Sequence, residues 1–170
     1  MTSIETIQAL MDELVVYLKS KHIELPNLSY RFEDQEGKEP TNPYITINIL
    51  STESQRFPIF RLVNELGVDY KEWEKEEKVF ITIGIVDKKF YKIAQELALE
   101  SIDFIEIHSN ELDIVTHLLN NVQILKEYRE PIYEYKVVFD VQINMKRFLR
   151  EVIQITDIDL TSQGTIGIVT

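Results

Sequence analysis

The stretch "IYEYKVVFDVQINMK", Ile132 to Lys146, alternates almost without fault with a period of two. Tyr133, Tyr135, Val137, Phe139, Val141, Ile143 and Met145 are apolar, and Glu134, Lys136, Asp140, Gln142 and Asn144 stand between them. Successive side chains of a strand point to opposite faces, so this pattern predicts a strand with one apolar and one wet face. A chain built around it must supply a layer to cover the apolar face and can leave the other in water. Such a strand runs about 40 Å at ~3.3 Å per residue, longer than most domains use. Ends that project past the covering layer carry unpaired backbone donors and acceptors, a template for a neighbouring chain. A plain long hairpin is the competing reading.

Two segments can provide the cover. In "TSIETIQALMDELVVYLKSK", Ile4, Ile7, Leu10, Met11, Leu14, Val15 and Leu18 recur at helical spacing, and Thr2 with Glu5 forms a capping box. This helix should end near His22, before Pro26. In "KKFYKIAQELALESIDFIEIH", Phe90, Ile93, Ala94, Leu97, Ser101, Phe104, Ile105 and His108 mark one stripe, and Asp87 stands where a helix cap is expected.

The remaining segments read mostly as strands. "LSYRFE", "PYITINILS" and "KVFITIGIVD" are strands, and "DQEGKEPTNP" is a turn-rich loop. "RFPIFRLVNEL" is an edge strand in which Pro58 cannot donate to a ladder, with a short helix after Phe57 as the alternative. "GVDYKEWEKEEK" reads as a charged loop; its Tyr70 and Trp73 are candidate partner contacts, the plainer alternative being anchors onto the domain's own surface. "IVTHLLNNVQILKEY" is the next strand, with a helical start at Leu118 and Leu119 as the alternative. The alternation slips at "KRFLRE", predicting a bend or bulge, and resumes in "VIQITDIDL". The expected fold is α+β, a largely antiparallel twisted sheet with two amphipathic helices packed on one face. It spans residues 1–160 as a single domain, with 52–78 as an insertion loop and 161–170 as a C-terminal arm.

Composition narrows the function. The 170 residues fit one domain, and the absence of cysteine removes disulfides, thiolate metal sites and cysteine nucleophiles. The 29 acidic and 18 basic residues leave a net charge of −11, which repels nucleic acid at long range. His22, His108 and His117 lie far apart in sequence without metal-ligand spacing, and none of the five glycines belongs to a phosphate-binding loop. Acidic pairs such as Asp12–Glu13 and Asp157–Asp159 read as solvated surface. We therefore expect no catalytic, cofactor or metal site, and no enzyme. The first twenty residues lack a basic leader and no run is long enough to span a membrane, so synthesis in the cytoplasm is expected.

The N-terminal helix, the "PYITINIL" strand after a proline-containing loop, the strand-to-helix step from Ile81 to Leu97, and "YEYKVVFDVQINMKRFLREVIQITDIDL" together resemble the neck or tail terminator (tail completion) proteins of long-tailed bacteriophages. The resemblance covers Ile4 to Leu160 and rests on hydrophobic patterns rather than catalytic signatures. It implies a virion structural protein: a homo-oligomeric ring, commonly hexameric, at the head-proximal end of the tail tube. Tube and connector proteins would be its partners, and DNA would pass through the hole without specific binding. On that basis Asp140, Gln142 and Asn144 would face the lumen or a neighbouring subunit. The "ESQRFPIF…WEKEEK" stretch departs from a minimal member, and the tail could add a strand to a neighbour. A non-enzymatic adaptor or binding module on the same fold is the alternative, and an enzyme ranks last.

Overall fold

Thr2 and Glu5 open the first helix by trading hydrogen bonds with each other's backbone amides, as the capping box requires. The helix α1, Ser3–Lys21, closes at His22, whose N–H bonds the Leu18 carbonyl. The structure, a computed structural model, describes residues 2–34, 36–88, 91–129 and 132–153. After α1 come β1 (Tyr30–Phe32), β2 (Tyr44–Glu65), β3 (Val68–Asp87), α2 (Tyr91–His108), a single 3-10 turn (Ser109–Leu112), β4 (Ile114–Leu118), β5 (Gln123–Arg129) and β6 (Ile132–Val152).

These strands form one open sheet in the order β1-β2-β3-β6-β4, with β5 also pairing to β6. All pairings are antiparallel except β1 with β2, which is parallel. The fold is therefore mixed α+β, with an antiparallel-rich twisted sheet and both helices packed against it. Each row across the central strands carries three large apolar side chains: Ile45–Ile85–Val137, Ile47–Ile83–Phe139 and Ile49–Ile81–Val141. Apart from the half-buried Ile49 these are buried, against Leu10, Met11 and Leu14 of α1 and Ala94, Leu97 and Phe104 of α2. Burying each such aliphatic side chain is worth roughly 1.5–3 kcal/mol. The even-numbered Asp140, Gln142 and Asn144 lie on the opposite face and stay half-buried, as the alternation predicts.

Three expectations need correction. Residues 52–78 are not a loop: they are the distal halves of β2 and β3, a hairpin closed by Leu66 and Gly67. Both turn residues take positive φ, 53° and 82°, the combination that a two-residue type I′ hairpin turn demands. "KRFLRE" is not a bulge, because β3 and β6 keep one register from Tyr70↔Val152 to Asp87↔Tyr135. The irregularities fall in β2 instead, between Ile49 and Ser51 and between Arg56 and Phe60, and the second contains Pro58. Finally, "IVTHLLNNVQILKEY" is two strands, both laid along the same edge of β6 and interrupted between Leu118 and Gln123. At that interruption Asn120 donates to the Asp140 carboxylate at 2.5 Å and accepts from the Asp140 N–H at 2.9 Å, replacing the missing ladder bonds. The joint where Asp87 was expected to cap α2 contains residues 89–90, and "VIQITDIDL" beyond Ile153 and the arm 161–170 also lie outside the described residues.

Candidate assembly surface

The helical layer stops where α1 begins. There the Ser3 hydroxyl donates to Glu77 at 2.5 Å, and on the far side of Glu77 the strands β2, β3 and β6 run on without a helix over them. From Glu77 to Val68 this three-stranded ribbon projects about 30 Å, at ~3.3 Å per residue. Its two outer edges, β2 on one side and β6 on the other, have no strand beside them among the described residues, since β1 pairs only opposite Ile45–Ile47 and β4 stops opposite Met145.

With no core to hold it, the ribbon is tied by charge. Glu72 is buried between Arg61 on β2 and Arg150 on β6, with Arg150 also holding Glu65. The hydrogen bond from Arg150 holds the Glu72 carboxyl below its usual range, with burial opposing and Arg61 reinforcing the shift. Lys146 pairs with Glu74 at 2.6 Å. At the root, Glu77 is buried and accepts from Lys75, Ser3 and Arg147; burial pushes its pKa up, but these donors prevail and bring it down to about 2. Cross-strand pairs of this kind contribute roughly 0.2–1 kcal/mol each. The aromatic residues fit the same scheme. Trp73 packs on Phe60 with centroids 5.7 Å apart, and the Arg150 guanidinium lies 5.9 Å from the Tyr70 ring. Tyr70 and Trp73, expected on a loop, are thus strand residues half-covered by their ribbon neighbours.

Apolar side chains nevertheless face solvent along the ribbon. Leu66 at the tip is fully exposed, Leu62 is 70% exposed, and Phe148 and Val152 are about half exposed. Residues 51–78 and 144–152 together hold eight acidic and eight basic side chains, so the ribbon is neutral and the whole excess of −11 belongs to the rest of the chain. A neutral, partly apolar, free-edged ribbon on an acidic body is the part of the molecule on which another copy is least repelled.

The residues expected on the wet face divide by role. Asp140 accepts from Thr82 at 2.6 Å as well as from Asn120, so its carboxylate fastens the β4–β5 interruption. Gln142 donates to Asn144 at 2.7 Å along the same face, close to the ribbon root. The ribbon contributors Arg61, Glu72, Leu62, Leu66 and Arg150 were not singled out from the sequence. The available signal was "ELGV", a glycine-containing dipeptide between two strand-length segments. Among the described residues, no group of three or more His, Asp or Glu side chains is arranged to hold a metal ion.

The class defined by this geometry is an open α+β sheet with a helix-covered body and a projecting, uncovered ribbon. Compared with known proteins, the chain matches no family model and no curated protein.

Proposed function

We propose that this protein is a structural component of a long-tailed bacteriophage, a neck or tail terminator protein that closes into a ring on the head-proximal end of the tail tube and joins it to the connector. The observation that carries the reading is the ribbon, whose outer edges have no strand beside them among the described residues and whose Leu62 and Leu66 face solvent. A ring needs each copy to present two different surfaces, and the helix-covered body and the ribbon differ in both charge and cover. The sequence resemblance supplies the biological setting: a place in the virion, tube and connector proteins as partners, and a hexameric count. The acidic body would keep passing DNA from adhering, because the field repels phosphates.

Native mass spectrometry and negative-stain electron microscopy of the full chain, alone and mixed with tail tube protein, test the reading. A closed ring of copies is the expected result. A chain that stays monomeric at high concentration in both preparations would sink it.

A further inference from the structure

β4 begins only at Ile114, opposite Met145, because the chain leaves the 3-10 turn at Asp113 with φ 55°. β6 continues to Val152, leaving an edge from Lys146 onward that no described strand fills. Two grooves flank this edge. One, of about 480 Å³, is lined by Lys146, Arg147, Phe148 and Arg150 and reaches Thr6 of α1. The other, of about 280 Å³, is walled by Ile114, Val115 and Met145, with Glu76, Asp113, Asn144 and Lys146 at its sides. An extended peptide laid on such an edge gains main-chain hydrogen bonds while its alternate side chains enter the flanking pockets.

We infer that this edge receives residues 155–160 of a second copy of the chain, which add a strand in line with β4. Seventeen residues follow Ile153, and they start where β6 leaves the ribbon. Within them "ITDIDL" alternates: Asp157 and Asp159 share one face of an extended segment, Ile158 and Leu160 the other. The acids match Lys146 and Arg150, which share one face of β6, and the aliphatics match the opposite face bearing Met145 and Leu149. Lys146 already holds Glu74, and Arg150 holds Glu72 and Glu65. A guanidinium has five N–H donors, so Arg150 can serve a further carboxylate beside these two. The chain's own tail is the poorer occupant, because a hairpin would have to turn within Ile153-Gln154-Ile155-Thr156, where β-branched residues resist the positive φ of a tight turn. The inference rests on the ring reading above and names its contact: each copy gives a strand on one side and accepts one on the other, the head-to-tail arrangement a ring needs.

The chain has no cysteine, so disulfide trapping has a clean background. Leu149→Cys on the open edge of β6 and Ile158→Cys are prepared separately, mixed and mildly oxidised; a disulfide-linked pair containing one of each is the expected product. Its absence, or a double variant that closes only within single chains at dilution, would overturn the inference. In parallel, Ile158→Asp with Leu160→Asp in the full chain should weaken self-association at least tenfold and leave the thermal midpoint unchanged. Rings that form undiminished from that variant would refute strand exchange while the ring reading stands; a wild-type chain that never assembles refutes both.

Discussion

Single residues carry two local conflicts with distinct consequences. A leucine at the first central position of a type I′ turn is unusual, since left-handed backbone favours Gly, Asn or Asp, and Leu66 is in addition fully exposed. Leu66→Asn is expected to raise the monomer's stability by about 0.5–1 kcal/mol, measured by urea unfolding, while lowering assembly if the tip is a contact. Glu77 is the buried charge at the ribbon root. Its pKa falls from 4.5 to about 2, so the stability it confers is complete above pH 4.5 and disappears as pH drops toward 2. Glu77→Gln should therefore lie below wild type at neutral pH, with the gap in thermal midpoint closing between pH 4.5 and 2. Gly84 explains another detail of "ITIGIV": a Cβ there would sit 2.5 Å from the Lys136 stem and 2.6 Å from the Thr46 hydroxyl. The stem crosses Gly84 to bring the Lys136 ammonium to Glu33, pinning the loop after β1.

Elements differ in how openly the sequence announces them. Both helices read correctly because apolar stripes at 3.6-residue spacing are imposed by a sheet beneath them, and the Thr2–Glu5 signature is purely local. Thr2→Ala should cost about 1 kcal/mol in chemical denaturation, the usual worth of an N-cap. The covered halves of β2, β3 and β6 read correctly for a similar reason: alternation records a difference between two faces. The ribbon has no such difference. With solvent on both sides, Asp69 to Lys78 is charged at every position except Tyr70 and Trp73 and passes for a loop. Its strand state depends on partners at Arg61, Arg147 and Arg150, which are remote in sequence. The same absence of contrast made "KRFLRE" look like an irregularity when its register is continuous.

At the scale of the whole molecule, charge and shape act together. The chain outside the ribbon carries all of the −11 and repels its copies, and salt screens that repulsion over a Debye length of about 8 Å at ~0.15 M. Self-association should therefore strengthen as salt rises from ~0.02 M to ~0.15 M, read by sedimentation velocity; the opposite trend would mean that attractive ion pairs dominate the contact. What the sequence determined by itself is the covered body: two amphipathic helices, an antiparallel-rich sheet and the face each strand buries. These follow from local spacing, because burial against a neighbour leaves a periodic trace in hydrophobicity. The tertiary structure alone decided that residues 52–78 form a projecting hairpin, that β6 runs unbroken beside it, and that two grooves flank its open edge. Those features are held by ion pairs between distant residues and by the reach of one strand past the end of another, and neither leaves a period in the chain.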